Sequence, residues 1–303
     1  MPAHIGELAA LGTAVSWTVA ALIMEKAVKR VGVMAVNTLK VTFGSLYLAA
    51  LAFFLMGSPV PHGLSPSAWG FLGASGLVGF VVGDYFLLHA YDWIGSRLSM
   101  LLMALSVPFT ALGAFAVFGE APGPWSLAGM ALCVGGIVLT VFAGNRAGTV
   151  ASGLGKGNGR YWKGIIYGIL SAIAMAVATL LTKAGASGVS SVSATQVRIA
   201  SALAGFLAFA LATGKGGEIV SAVRDRKGLR LIATASIFGP FVGVGLLLFA
   251  IQHAAAGVVS TLSSLTPVLI IPPSVLIFGR RVGALEIVGS CAAVAGLALF
   301  FVG

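Results

Sequence analysis

The chain carries two copies of one long segment, and this internal repeat limits what it can fold into. Shifted by 160 positions, residues 73–143 lie over residues 233–303 without a gap. The residues that recur in register are mostly small: Gly79 and Gly239, Gly83 and Gly243, Ala90 and Ala250, Gly129 and Gly289, and Gly136 and Gly296. Both copies consist of long apolar runs. A duplicated set of membrane-spanning helices is the usual construction of a secondary transporter.

The composition agrees with a membrane protein. Hydrophobic residues make up 58% of the chain and charged residues only 9%, whereas a soluble domain has about 25% charged residues. The net charge of +10 does not indicate a nucleic-acid partner, because the basic residues lie between apolar runs, where they orient the chain and meet anionic lipid. We therefore predict a multi-pass protein of the inner membrane, with the lipid bilayer as its surroundings.

The apolar runs predict ten spanning helices, since a helix needs roughly 20 apolar residues to cross a bilayer. The predicted spans are 8–28, 33–57, 67–91, 97–118, 124–143, 162–183, 192–213, 229–252, 257–278 and 283–302. Residues 1–143 form the first five-helix repeat, the Gly-rich segment 144–161 is a linker, and residues 162–303 form the second repeat. The charged segment 214–230 can hold a short helix at the membrane surface.

Five helices per repeat determine the topology. Because five is odd, the two copies enter the membrane from opposite sides, which predicts an all-α fold built from two inverted five-helix repeats. In the first two helices of each repeat the similarity continues at an offset of 158, and Lys40 then corresponds to Arg198.

The distribution of basic residues predicts the orientation. Lys40 and Arg198 lie within helices, which leaves 16 of the 18 Lys and Arg residues in loops and termini. Odd-numbered loops hold 15 of these, and the other side holds only Lys183. The positive-inside rule then places the odd-numbered loops in the cytoplasm and both termini outside.

Residues 90–120 resemble the EamA-type transporters of the drug/metabolite transporter superfamily. The matching features are Ala90, the turn Gly95-Ser96, the helix segment 105–108 that ends in Pro108, and the exit Gly119-Glu120, and the second copy repeats them at Ala250, 263–267 and Gly279-Arg280. Arg198 matches an arginine that is common in the family, whereas Lys40 and Arg280 depart from its pattern. The resemblance covers nearly the whole chain and implies a transporter of small molecules without a cofactor. It implies cytoplasmic termini, contrary to the charge count, and does not indicate a substrate.

Asp84 is the most informative charge, because it lies deep within the third helix. A carboxylate at such depth costs at least about 2.5 kcal/mol. It is either a substrate contact or proton carrier, or a structural partner in a buried ion pair. The second repeat has Val244 at this position, so the shared architecture does not need the charge.

Lys40 and Arg198 lie about two turns into matched helices. They either extend to the membrane surface or act as polar anchors at the two mouths of a central cavity, one of them paired with Asp84. Trp17, Tyr85 and His89 are candidates for an aromatic binding surface that suits a cationic or zwitterionic ligand. The alternatives are ordinary packing for the aromatic rings and an internal hydrogen bond for His89.

Three hydroxyl residues complete the candidate set: Ser106, Ser263 and Thr266 lie beside prolines within helices. A proline frees a backbone carbonyl and kinks the helix. These segments can therefore hydrogen-bond a substrate, or they can be fixed bends that contact no ligand.

The sequence leaves three functions open. The first is a secondary transporter that moves an amino acid or another cationic or zwitterionic metabolite, driven by a gradient of ions such as protons, because no GxxxxGK[ST] motif is present. The second is a lipid or lipid-linked sugar flippase. The third is an intramembrane aspartyl enzyme that uses Asp84 and Asp92, although the order of these residues does not fit. We predict no metal, cofactor or nucleic-acid partner, and the sequence does not indicate an oligomeric state.

Overall fold

The structure is a computed structural model that describes residues 4–57, 61, 64–146, 158–254, 256–279 and 282–302. Within these ranges the regular elements are all helices. In chain order the membrane helices are α1 (Ile5–Val31), α2 (Val33–Met56), α3 (66–94), α4 (96–118), α5 (Pro124–Arg146), α6 (Asn158–Gly185), α7 (Ser191–Ala212), α8 (226–253), α9 (256–278) and α10 (Ala284–Val302). An additional short helix, Gly216–Arg224, precedes α8, where the sequence indicated one.

The boundary between α3 and α4 lies inside one continuous helical stretch. By length and apolarity alone, the described residues hold nine spanning helices, of which Pro66–Met103 is 38 residues long. At 1.5 Å per residue this stretch would measure about 57 Å, far more than the roughly 30 Å of a hydrocarbon core. Gly95 breaks it with φ of 83° and ψ of 161°, so the chain turns back and α4 makes a separate crossing. The prediction of ten helices is confirmed.

The predicted linker lies mostly outside the described residues. Helix α5 continues to Arg146 and α6 begins at Asn158, so both helices extend into the segment 144–161 at its ends. Residues 147–157 belong to the part of the predicted linker that the structure does not describe.

The two repeats share their irregularities as well as their helices. Seven-residue π-helical segments occupy Leu77–Gly83 in α3 and Ile237–Gly243 in α8, 160 positions apart. Helices α4 and α9 are interrupted at 104–105 and at 264–265, again 160 positions apart. Both helices are followed by a left-handed glycine, Gly119 or Gly279. Two copies of one sequence have therefore folded into two copies of one backbone.

The contact between α5 and α10 shows the two-fold relation between the repeats. A methyl group on Gly129 would lie 2.6 Å from the carbonyl oxygen of Gly296, and one on Gly136 would lie 2.5 Å from that of Gly289. Exchanging the repeats exchanges these two contacts. The absence of side chains lets the helix backbones touch, which is how membrane helices gain packing energy.

Each repeat also packs its π-helical segment against the first helix of the other repeat. A methyl group on Gly79 would lie 2.9 Å from Cβ of Ala178 in α6, and one on Gly239 would lie 3.6 Å from Cβ of Ala20 in α1. The matched glycines of α3 and α8 are therefore contact surfaces, as their recurrence predicted. These contacts hold the middle of α3 and α8 at the centre of the bundle, where the candidate site lies.

Candidate functional site

Asp84 lies where α3 returns from π-helical to α-helical geometry, directly after Gly83. Its side chain is buried, and its Oδ2 accepts a hydrogen bond of 2.5 Å from Nζ of Lys40 in α2. The lysine side chain is 15% exposed, so the pair is largely shielded from solvent. Shielding strengthens the attraction, and it makes loss of either partner unfavourable because the remaining charge stays buried.

Arg198 reaches the same helix from α7. A methyl group on Gly76 would lie 2.1 Å from the backbone oxygen of Arg198, so α7 touches the backbone of α3 there. The guanidinium lies over the ring of Phe80, with 5.2 Å between Cζ and the ring centre. Among the residues that the structure describes, the buried Nε of Arg198 has no hydrogen-bond partner. Phe80 precedes Asp84 by about one helical turn. Lys40 and Arg198 therefore contact α3 about one turn apart.

The matched positions in the two repeats differ in charge. Lys40 pairs with the carboxylate of Asp84, whereas the second repeat offers Arg198 only Val244 at the corresponding position. Asp84 is within electrostatic range of Arg198, but its oxygen is bonded to Lys40. The three charged side chains together carry one net positive charge, which favours an anionic group of a ligand next to Arg198.

Tyr85 and His89 belong to an aromatic cluster that follows Asp84 along α3. The Tyr85 ring lies 5.7 Å from the ring of Phe209 in α7 and 4.3 Å from that of His89, measured between centroids. The His89 ring lies 5.7 Å from that of Tyr167 in α6. Its Nδ1 is 2.8 Å from the carbonyl oxygen of Tyr85, which is the internal hydrogen bond that the sequence left as one alternative. The cluster joins α3 to α6 and α7 through ring contacts, and a role in ligand binding stays a prediction.

Trp17 lies against the other π-helical segment. A methyl group on Gly243 would lie 2.4 Å from Nε1 of Trp17, so the indole takes the space that this glycine leaves free on α8. The neighbouring Ser16 donates a hydrogen bond of 2.6 Å to the carbonyl oxygen of Phe238. The segment Ile237–Gly243 corresponds in the second repeat to Leu77–Gly83, which precedes Asp84. Trp17 therefore packs against the second-repeat copy of that segment.

The three hydroxyl residues lie at the interruptions of α4 and α9. Ser263 donates to the carbonyl oxygen of Val259 at 2.8 Å, and Thr266 donates at 3.0 Å to the carbonyl oxygen of Ser263, which Pro267 leaves without its helical donor. Ser106 begins the helical segment Ser106–Phe118 after the interruption. The hydroxyls of Ser263 and Thr266 therefore stabilise the bend in α9, and a role in substrate binding stays a prediction.

Two buried features lie outside the set of candidate site residues. Asn37 lies about one turn before Lys40 in α2 and is fully buried, and within the described chain neither its Oδ1 nor its Nδ2 has a hydrogen-bond partner. Arg97 and Glu286 form a buried ion pair. The spacing of Asn37 three residues before Lys40 was the available signal for the first feature. The second depends on how α10 packs and had no local signal.

A further buried acid, Glu25, contacts the start of α4. Glu25 in α1 accepts hydrogen bonds from the backbone N–H and the hydroxyl of Ser96 at 2.7 and 2.6 Å, and pairs with Lys29 at 2.7 Å. Together with Arg97 and Glu286, these residues fasten the start of α4 to α1 and α10. We call this set the latch, and it lies at the end of the bundle that carries the odd-numbered loops.

The two aspartates of α3 do not form a catalytic dyad. Asp92 lies eight residues after Asp84, about 12 Å along a helix, and pairs with Arg160 at 3.3 Å. Within the described residues no group of three or more His, Cys, Asp or Glu side chains could hold a metal ion.

Comparison with known proteins agrees with this architecture. The model of the EamA-like transporter family matches residues 4–142 and again residues 162–302. No match was found among curated proteins. A crystal structure with 18% sequence identity superposes with a TM-score of 0.62 over 97% of this chain and 95% of its own, which shows a shared fold. Because the family model covers nearly the whole chain in two repeats, this protein belongs to the EamA-like transporter family, whose members are membrane transporters of small molecules.

Proposed function

We propose that this protein is a secondary transporter that moves a small organic zwitterion across the inner membrane by alternating access. The observation that carries the proposal is the arrangement around α3: one buried ion pair, Lys40 with Asp84, beside a second cation, Arg198, which forms no ion pair with any residue that the structure describes and whose Nε has no hydrogen-bond partner there. Intramembrane charges of this kind mark substrate and ion pathways. The inner membrane is the proposed location because all described spans are helical.

The charges favour a zwitterion with a carboxylate over a simple cation. The carboxylate would pair with the guanidinium of Arg198, which offers several N–H donors in one plane. An ammonium group at Asp84 would compete with Lys40, because Oδ2 of that carboxylate already accepts a hydrogen bond from the lysine. The rings of Phe80, Tyr85 and Phe209 offer apolar surface to the rest of the molecule. The amide of Asn37, which has no hydrogen-bond partner among the residues that the structure describes, is a further group that could bind a polar ligand.

The two ends of the bundle support alternating access. At one end the latch is buried: Glu25 is 0% and Glu286 is 1% exposed. At the opposite end the closest counterpart is the pair of Lys183 and Glu120, whose side chains are about half exposed. Lys183 occupies the position that corresponds to Glu25 at the offset of 158. An inverted repeat that is closed at one end and looser at the other is the expected geometry for one of two opposite-facing states.

Coupling to protons would use Asp84. It is the buried carboxylate nearest to the proposed ligand position, and its charge depends on Lys40. Binding of a ligand ammonium or of a proton at Asp84 would both release Lys40, which links the two events. The corresponding Val244 cannot titrate, so coupling would be confined to one repeat.

Transport by the purified protein in liposomes tests the proposal. Amino acids, organic cations, organic anions and a fluorescent phospholipid are offered in parallel, after a thermal-shift screen has ranked the compounds. We expect uptake of a zwitterion, and we expect Arg198→Gln to weaken its binding about 30-fold or more, since truncating one member of a buried charge pair costs about 2 kcal/mol or more.

Arg160→Gln is the matched control, because it removes the same charge from another arginine near α3, one that is more than half exposed and already pairs with Asp92. It should leave uptake unchanged. Movement of the phospholipid alone would favour the flippase. Uptake of a cation that does not respond to Arg198→Gln would refute the proposed site.

A further inference from the structure

A groove runs along the outside of the bundle, away from the candidate site. Its floor is α1, and its walls are α8 and α9. The end near the latch is a cavity of about 370 Å³ lined by Ile23, Arg30, Lys227, Arg230, Leu231 and Thr234. The end toward the membrane centre is a cavity of about 300 Å³ whose lining includes Val15, Val19, Ile23, Leu269, Pro273 and Ile277. Ile23 lines both cavities, so they adjoin along α1, and together they make up the groove, with a basic end beside α8 and an apolar end beside α9.

Helical spacing places these residues on facing stripes. On α1 the positions 15, 19, 23 and 30 lie along one side of the helix, and on α8 the positions 227, 230, 231 and 234 do the same. The two helices touch closely at the basic end, because a methyl group on Gly228 would lie 2.4 Å from Cγ1 of Val31. The basic end of the groove therefore holds three basic side chains, Arg30 from the first repeat and Lys227 and Arg230 from the second.

The basic end has more positive charge than its own acid neutralises. Arg30 binds both carboxylate oxygens of Asp225, at 2.6 and 3.0 Å. Lys227 and Arg230 are exposed, and in the part of the chain that the structure describes neither forms an ion pair. The three bases carry three positive charges, and Asp225 neutralises one of them. The two positive charges that remain at this end of the groove favour binding of a phosphate group.

The length of the groove suits a lipid chain. From Val15 to Arg30 the floor extends about 22 Å at 1.5 Å per residue. The apolar part from Val15 to Ile23 accounts for about 12 Å, close to the roughly 15 Å of one hydrocarbon leaflet. Val15 is 48% exposed, so the apolar end opens toward the surrounding bilayer.

The geometry points to a binding site for one anionic phospholipid in this groove, separate from the transport site. The phosphate lies between Lys227 and Arg230, and one acyl chain lies on α1 against Leu269, Pro273 and Ile277 of α9. Charge complementarity selects an anionic headgroup, and the apolar floor selects a lipid over a soluble phosphate. Because the floor belongs to the first repeat and the walls to the second, the bound lipid stabilises the arrangement of the two repeats seen here.

Lipid binding to the delipidated full-length protein tests this site without any transport measurement. Phosphatidylglycerol, phosphatidylcholine and glycerol 3-phosphate are titrated separately, and bound molecules are counted by native mass spectrometry alongside the melting temperature. We expect one tightly held phosphatidylglycerol that raises the melting temperature, weaker phosphatidylcholine and no measurable glycerol 3-phosphate. The double variant Lys227→Gln with Arg230→Gln should weaken phosphatidylglycerol about tenfold or more.

The matched control removes two other exposed bases at the same end of the bundle, Lys163→Gln with Arg224→Gln, and should bind the lipid like the unaltered protein. Val19→Trp, which fills the apolar part, should also weaken the lipid. Equal binding of phosphatidylcholine, binding of glycerol 3-phosphate as tight as that of the lipid, or equal losses in both double variants would overturn the proposal. None of these outcomes bears on uptake, so failure here is distinct from failure of the proposed transport function.

Discussion

The two repeats have nearly the same backbone and different charges. Both contain a π-helical segment, an interrupted fourth helix and a left-handed glycine at matched positions. Yet the first repeat pairs Lys40 with Asp84, and the second has Arg198 and the uncharged Val244 at the corresponding positions of the sequence. Small and apolar residues that recur are explained by packing. The charges that do not recur need another reason, and the proposed function assigns them to substrate binding.

The largest expected effect comes from separating the Lys40–Asp84 pair. Asp84→Asn leaves the Lys40 charge buried without a partner, and breaking a buried pair costs about 3–5 kcal/mol. The double variant Lys40→Gln with Asp84→Asn removes both charges and should recover most of that stability, because no buried charge is left without a partner. Thermal unfolding in detergent measures both. A double variant as unstable as the single one would show that the two residues do not act as a pair.

The latch gives the next comparison, between the two ends of the bundle. Arg97→Gln leaves Glu286 without its buried cation, for which we expect a loss of about 3–5 kcal/mol. Lys183→Gln breaks the half-exposed pair with Glu120 at the other end and should change stability by about 1 kcal/mol or less. Melting temperatures of the two variants provide the test. Similar losses would mean that the two ends are sealed alike, contrary to an asymmetric state.

Neighbouring glycines in α5 test the two-fold contact with α10. A methyl group on Gly136 would lie 2.5 Å from backbone atoms of α10, whereas one on Gly135 would meet nothing within 4 Å. Gly136→Ala should therefore destabilise the protein by about 1–3 kcal/mol, and Gly135→Ala should not. Gly296→Ala, the second-repeat counterpart of Gly136→Ala, should match it, because a methyl group on Gly296 would lie 2.4 Å from the backbone nitrogen of Cys133 in α5. A difference between those two variants would break the symmetry that the structure shows.

The smallest expected effect concerns the residues that cap α3 and α8. Ser65 and Asp225 lie 160 positions apart, and each accepts hydrogen bonds from backbone N–H groups of the turn that follows. The hydrogen bond from Arg30 and those from the helix N–H groups hold the pKa of Asp225 below its usual value. Its contribution is thus complete above the ordinary range near 3.9 and is lost as the pH falls through the lowered pKa.

The uncharged cap of the first repeat has no such dependence on pH. Asp225→Ser copies that cap into the second repeat and should make the melting temperature fall less steeply on acidification. An unchanged slope would show that Asp225 does not contribute to the acid sensitivity of the fold.

The sequence predicted the fold almost completely, because helix length, the repeat and the odd helix count each act locally or by symmetry. It offered pairing of Asp84 with one of two cations as an alternative but could not choose between the cations, since Lys40 and Arg198 lie equally deep in matched helices. Packing decides: Gly76 brings the backbone of α7 against α3, which directs Arg198 over Phe80. No sequence pattern indicated that Glu25 and Glu286 are buried. Their burial depends on how the starts of α4 and α10 pack against the rest of the bundle.

The central claim is that the unmatched charges of the first repeat serve transport as well as folding. Exchange of the zwitterion identified by the uptake screen, measured with proteoliposomes that contain the double variant Lys40→Gln with Asp84→Asn, tests it most directly. The account predicts a folded protein with a melting temperature close to that of the unaltered chain and no detectable exchange. Exchange at the unaltered rate would contradict it, and would assign Lys40 and Asp84 to the architecture alone.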